Sequence, residues 1–268
     1  MTKSKIEKNT FKVWEGIYES FPEARKYSIG SGFSGEKYSV QAIEVAKECL
    51  NCIEEDRPIK IFHKQRFTIF PTVVSFLIEK KANKGRLKIL DIGGGLAIAY
   101  MSLIESIPGI ASKIDYSILE IPSVCNIASK FWKTKNYSIE YLDSIPKEMR
   151  FDLLFSSSAL QYIEDWRDFI KVVTQHTKSH LLLSDVFCGK INSFVTLQNY
   201  YDSKIPHWFL SEKDLIKELS LYNFFLQSKN FATGERAGIH NHLYMENFPK
   251  KRRIDNTVHL LFSREKYK

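Results

Sequence analysis

The stretch Leu87–Tyr100, LKILDIGGGLAIAY, constrains this chain more than any other. Leu87, Ile89, Leu90 and Ile92 predict a buried parallel strand, and three glycines then turn the chain. From Leu96 to Ile107 the apolar spacing becomes helical, until Pro108 stops it. Strand, glycine turn and helix bring backbone N–H groups and a helix N-terminus against a polar ligand.

The rest of the chain is read around that unit. Strands are predicted at Leu87–Ile92, Tyr116–Ile121, Ile139–Leu142, Asp152–Ser156, His180–Asp185, Phe224–Asn230 and Val258–Ser263. With helices between the first five, they predict a doubly wound, mostly parallel α/β sheet of seven strands. The last two have no clear helix between them, so they are expected to close the sheet as an antiparallel pair. Residues 10–82 read as mostly helical. FKVWEGIYESFPEARKY carries apolar residues at Phe11, Trp14, Ile17, Tyr18 and Phe21, and a loop, SIGSGFSGEKY, follows. Helices are expected over about Ser39–Glu55 and Thr72–Lys81. The expected division is an N-terminal helical cap, 1–83, and an α/β ligand-binding domain, 84–268.

At 268 residues and 44% hydrophobic, the chain can bury one large core with a small cap. The net charge of +8 attracts anions such as phosphorylated metabolites, nucleic acid or anionic lipid, although solvated lysines alone give that number. No apolar run approaches the ~18–20 residues of a membrane span, and the charged N-terminus shows no signal peptide. Four cysteines, Cys49, Cys52, Cys125 and Cys188, suit a reduced, cytoplasmic setting. Cys49 and Cys52 lie in a helix with no second Cys/His pair nearby, so they read as core thiols. No metal site is expected.

The ligand on the glycines can be a dinucleotide, a phosphate or S-adenosylmethionine (SAM). A dinucleotide fingerprint, G-x-G-x-x-G, places Ile98 at the third glycine when started at Gly93, and Leu96 at the second when started at Gly94. Both frames fail, and no G-K-S/T follows to make a Walker loop. Asp91-x-Gly93-x-Gly95-x-Ala97 instead resembles the acidic-glycine motif of class I SAM-dependent methyltransferases, which usually have a third glycine where this chain has Ala97. The resemblance implies a Rossmann-like methyltransferase fold, with Gly93, Gly94 and Gly95 beneath the methionine part of SAM and Asp91 organising its ammonium group. Glu120 ends the second strand, where an acid can accept from both ribose hydroxyls. By the same resemblance Ile121, Asp143, Ser144, Ser156, Ser157 and Gln161 join the cofactor site, Asp143 against the adenine amino group.

A narrower resemblance covers residues 13 to 220. VWEGIYESFPEA, GRLKILDIGGGL, LLFSSSALQYIED, Thr196-x-Gln198 and IPHWFLSEKDL resemble the methyltransferases encoded in bacterial O-antigen and other surface-polysaccharide gene clusters. It implies a sugar or related intermediate, free or nucleotide- or lipid-linked, as acceptor.

Methyl transfer needs the nucleophile held in line, and a protonated hydroxyl is helped by a base. Asp185, at the end of the fifth strand, is the first candidate base, or else a loop-ordering carboxylate; His207 is the second. Gln198, Trp208 and Tyr18 are candidate acceptor contacts, with Gln198 otherwise pinning a 189–206 loop. The N-terminal helical segment, about 10–82, and a 189–209 loop are expected to close over the carboxyl ends of the strands. His240-Asn-His242 would place two rings on one face of a strand, a weak metal hint without a carboxylate. FPKKRRID is either an anion-attracting loop or a solvated one. Competing readings are an RNA- or protein-directed methyltransferase, a non-catalytic partner of the same fold and, weakest, a nicotinamide oxidoreductase.

Overall fold

A computed structural model of the chain describes residues 12–81, 85–232, 234–236, 239–240 and 243–264, with 235, 236, 239 and 240 described by backbone alone. The first element departs from the expected helix. Trp14–Tyr18 is a strand, β1, and the helix α1 is confined to Phe21–Arg25. Trp14, Ile17, Tyr18 and Phe21 have helical spacing, but Gly16 sits at φ +77°, a left-handed conformation that a helix interior does not contain. A partner strand supplies the backbone hydrogen bonds instead. Ser20 then accepts from the Glu23 N–H, with Pro22 in the first turn, to start α1 afresh.

The helices α2 (Glu36–Glu54), α3 (Ile61–Lys64) and α4 (Phe70–Lys81) follow, the first and last close to their expected bounds. Their buried sides, including the free thiols Cys49 and Cys52, pack on one face of the main sheet. That sheet takes β2 (Leu87–Ile92), α5 (Ile98–Ser106), β3 (Ile114–Leu119), α6 (Pro122–Trp132), β4 (Ile139–Leu142), β5 (Phe151–Ser157), α7 (Trp166–Gln175) and β6 (Thr177–Val186). No helix joins β4 to β5, contrary to expectation. Residues 143–150 carry the chain back across the sheet to restart beside β2.

Downstream lie β7 (Cys188–Gly189), β8 (Phe194–Tyr200), β9 (Ser203–Ser211), α8 (Glu212–Leu221), β10 (Phe225–Phe231), the short pair β11 (Glu235–Arg236) and β12 (Ile239–His240), and β13 (Val258–Ser263). The seven-stranded order is β10-β13-β6-β5-β2-β3-β4. Only the last strand, β13, runs against its neighbours, β6 and β10; the remaining pairs are parallel. Leu87 and Ile89 face α2, α4 and α5, whereas Leu90 and Ile92 face α7 and α8. Burial on both faces explains why β2 reads as a nearly continuous apolar run. No helix of the described residues is long and apolar enough to cross a membrane.

The segment expected as a 189–206 loop is mostly a hairpin, β8–β9. Pro206 within β9 and the absence of a turn glycine argue against a strand pair in the sequence, yet Tyr201 takes the left-handed turn position at φ +54°. β1 pairs with this hairpin, Trp14 opposite Gln198 and Tyr18 opposite Val195, in a second sheet of order β1-β8-β9-β7. The N-terminal segment and the Gln198 segment therefore do meet, as strands rather than as a helical lid over a loop. Trp14, Phe187, Phe194, Phe209 and Phe248 form the core of this cap.

Candidate cofactor and acceptor site

The glycine turn follows β2. Gly93 (φ +71°) and Gly95 (φ +56°) are left-handed, so the turn demands residues without a Cβ penalty. The space beside them is spent as well. A Cβ on Gly93 would lie 2.5 Å from the Ala159 Cβ, and one on Gly94 would lie 2.5 Å from Asp91 Oδ2. The Asp91 carboxylate thus sits directly under the turn. Ala97, in the place of the third glycine, holds φ +66° at the start of α5, and its Cβ carries that strain.

Asp91 is 1% exposed and accepts one hydrogen bond, from the Tyr116 hydroxyl at 2.8 Å. Burial pushes its carboxyl up to about 7, against the pull of that hydrogen bond, and the nearby Glu120 adds to the rise. Glu120 follows β3 and accepts the Gly95 N–H on Oε1 (2.9 Å) and the Ile121 N–H on Oε2 (3.0 Å). Burial raises its pKa also, with both N–H groups opposing. Tyr141 donates to the Gly95 carbonyl at 3.1 Å, so the turn is fastened to β3 and β4.

Two adjoining hollows open here. One, of about 420 Å³, is lined by Gly93, Glu120, Ile121 and Asp143 and lies over the ends of β3 and β4. The other, of about 290 Å³, runs from Asp91 and the three glycines past Ser157 and Gln161 to Gln198 and Tyr200. Phe33, Tyr38, Gly93, Ser158 and Tyr162 border both. The structure thus brings together Asp91, Gly93, Gly94, Gly95, Glu120, Ile121, Asp143, Ser157, Gln161 and Gln198. Ser144 and Ser156 lie outside the lining: Ser144 donates to Asp143 (3.0 Å), and buried Ser156 to the Ile92 carbonyl (3.3 Å).

The candidate base and several acceptor contacts sit elsewhere. Asp185 is 1% exposed, lines neither hollow and accepts from the hydroxyls of Ser158 and Thr257. It reaches the cleft through Ser158. His207 is fully buried among Trp14, Tyr162, Phe187 and Phe209, again outside both linings. Tyr18 stacks on Tyr27, and Trp208 packs on Phe21 and donates to the Glu164 carbonyl, both away from the hollows. The side chains of His240 and His242 lie outside the described residues.

Further residues complete the site: Phe33, Tyr38, Arg66 and Ser158 have no part in the sequence reading of it, whereas Tyr200 and Tyr201 are among the aromatics that read as sugar-stacking or packing rings. Phe33 and Tyr38 arrive from the Gly/Ser-rich loop and the start of α2, and a Cβ on Gly95 would be 3.7 Å from the Tyr38 hydroxyl. Arg66, Ser158, Tyr200 and Tyr201 also line the smaller hollow. Phe33 and Tyr38 have one signal in the sequence, aromatics beside glycine and serine, and Arg66 has none. Tyr162 donates to Gln198 Oε1 at 2.6 Å and fixes which way that amide faces.

The strand order, the single antiparallel strand and the glycine turn after the first sheet strand define the Rossmann-like methyltransferase fold. No family model matches the chain, and no curated protein does. Among solved structures it is similar to a SAM-dependent methyltransferase from Clostridium acetobutylicum ATCC 824, with 13% identity and a TM-score of 0.48 over 82% of this chain and 97% of that one. It is also similar to the 1,6-didemethyltoxoflavin-N1-methyltransferase of Burkholderia thailandensis, with 10% identity and a TM-score of 0.48 over 88% of this chain and 92% of that one.

Proposed function

We propose that the protein is a SAM-dependent methyltransferase whose acceptor is a sugar or related intermediate of surface-polysaccharide synthesis. The observation that carries the cofactor reading is the pair of acids at the glycine turn. A pyrophosphate would meet the carboxylates of Asp91 and Glu120 and find the Gly95 N–H already engaged. An ammonium group fits: Asp91 is buried, with one hydrogen bond and no cationic partner among the described residues. A ribose diol fits Glu120, since each of its oxygens has a lone pair beyond the one its backbone donor uses. Asp143, exposed at the rim of the same hollow, suits an amino group.

The bound cofactor would supply an electrophilic methyl group on a sulfonium. The chain's part is to hold the acceptor in line and exclude water, which the ring-lined wall between the hollows and the amides of Gln161 and Gln198 can do. Burial pushes the phenols of Tyr38 and Tyr200 above their usual range, so both remain donors rather than bases. Asp185 is a positioning residue here, acting through Ser158. The sugar acceptor is supported by the resemblance to polysaccharide-cluster enzymes and by rings flanked with amides.

Calorimetry with S-adenosylhomocysteine (SAH) and NADH tests the reading. SAH should bind, and its affinity should rise from pH 5 to 7 by up to about tenfold per unit before levelling off. Asp91 is protonated below about 7 and has to lose that proton to pair with an ammonium group. In the free protein the raised pKa works in the other direction, and stability falls as pH climbs from about 4 to 7. Asp91→Asn should weaken SAH binding at pH 7 and flatten the profile. Binding of NADH without SAH would end the methyltransferase reading.

A further inference from the structure

We infer that the acceptor carries an anionic carboxylate or phosphate group and that Arg66 receives it on the cap side of the smaller hollow. The inference rests on the methyltransferase reading for what the ligand is, and on the following geometry for its charge. Arg66 lies in the short turn Gln65–Phe67 ahead of α4, and its carbonyl is pinned by the Ser184 hydroxyl at 2.8 Å. Arg66 lines the hollow from an exposed position and makes no ion pair with any described carboxylate. Tyr38 and Tyr200 line the same side, and their hydroxyls make no hydrogen bond to a described residue. Gln198 has one lone pair of its carbonyl oxygen taken by Tyr162, which fixes the amide, and its N–H₂ makes no hydrogen bond to a described residue. Gln161, 1% exposed in the lining, has no hydrogen-bond partner for either amide atom.

Among the described residues the cap side therefore presents several unspent donors, one of them a full positive charge, and no carboxylate. Asp91 is the single carboxylate among the described residues lining this hollow, and it lies beneath the glycine turn. The charge of Arg66 bears on the hydroxyls of Tyr38 and Tyr200, with Glu120 acting on Tyr38 more strongly, whereas the charge that bears on Asp91 is that of Glu120. The amides and phenols can donate or accept, but the guanidinium can only donate and carries a fixed positive charge, which complements an oxyanion and is left unmatched by a neutral ligand. The guanidinium suits carboxylate and phosphate alike.

The test uses matched anionic and neutral probes on the SAH-loaded protein: D-glucuronate and D-glucose 6-phosphate against D-glucose, and 4-hydroxybenzoate against 4-hydroxybenzamide, with dissociation constants from NMR titration. In at least one set the anion should bind about tenfold or more tightly than its neutral partner. Arg66→Gln should erase that preference while changing SAH affinity less than about twofold, and Arg66→Lys should retain part of it. A winning carboxylate or phosphate probe identifies which group the site takes. Equal binding of anions and neutrals in every set overturns the inference, as does a preference that survives Arg66→Gln. It is equally overturned if Arg66→Gln cuts SAH affinity about tenfold but leaves 5′-methylthioadenosine, which lacks the amino-acid portion, unaffected. Arg66 would then hold the cofactor. If SAH does not bind but the Arg66-dependent preference remains, the cofactor reading fails and the anion site stands.

Discussion

The floor and the cap side of the cleft treat their polar groups in opposite ways. On the floor, Tyr116 donates to Asp91, two backbone N–H groups hold Glu120, and Tyr141 fastens the Gly95 carbonyl. On the cap side, Arg66, Tyr38 and Tyr200 line the hollow with their donors uncommitted to the described residues. The floor is locked by its own protein into one arrangement, which suits a ligand that never changes. The cap side keeps its hydrogen bonds for whatever enters, which suits selection among acceptors. Changes to the floor should accordingly damage nucleotide binding, and changes to the cap side acceptor binding.

The strongest way to break this division is at Gly93. Gly93→Ala places a Cβ at φ +71° and 2.5 Å from the Ala159 Cβ, in backbone at the end of a strand held between two neighbours, β3 and β5. SAH affinity should fall by about 100-fold or more, since strain of ~1–3 kcal/mol is joined by displacement of the turn from its ligand. Calorimetry measures the loss, and an unchanged far-UV circular dichroism spectrum would show the fold intact. Undiminished SAH binding would mean that the turn is not the floor.

The same division explains what could be read from the sequence. Asp91, the glycines, Glu120 and Asp143 belong to strand ends, so a local pattern locates each and the parallel order aligns them. Arg66, Tyr38 and Tyr200 come from three segments joined only by tertiary packing, and no spacing rule connects them. The cap sheet itself was hidden for related reasons. Gly16 lies inside a run with helical apolar spacing, and Pro206 lies inside a strand. Both β1 and β9 exist because they find partners in the β8 hairpin, not because of local preference. Asp185 shows the limit in another form: its place at the end of β6 is legible, but not that its oxygens turn toward Ser158 and Thr257.

Asp185 stands where floor and cap side meet, because Ser158 borders both hollows. Asp185→Asn keeps the shape and tolerates the left-handed backbone at φ +52°, but turns an amide N–H₂ toward one of two hydroxyls that now donate. The expected effect is a loss of ~1–3 kcal/mol of stability, seen as a Tm lower by several degrees. SAH affinity should move little. An unchanged Tm with turnover slowed ~100-fold or more would instead make Asp185 the base.

The finest test of the division is Tyr162→Phe. The ring borders both hollows and packs against Phe33 and His207, at centroid distances of 4.8 and 5.3 Å, contacts that Phe preserves. What is lost is the hydroxyl that donates to Gln198 Oε1 at 2.6 Å. Without it the amide can rotate and offer either its oxygen or its N–H₂ to the hollow, so the acceptor meets a donor only part of the time. One neutral hydrogen bond contributes ~0.5–1.5 kcal/mol, which predicts an acceptor KM raised about three- to tenfold. Stability should change by less than ~1 kcal/mol, because the side chain keeps its packing. SAH affinity should stay within about twofold, since no atom of the floor has moved. If SAH and acceptor affinities fell together, Tyr162 would belong to both sites at once, and the separation of a locked floor from an uncommitted cap side would not hold.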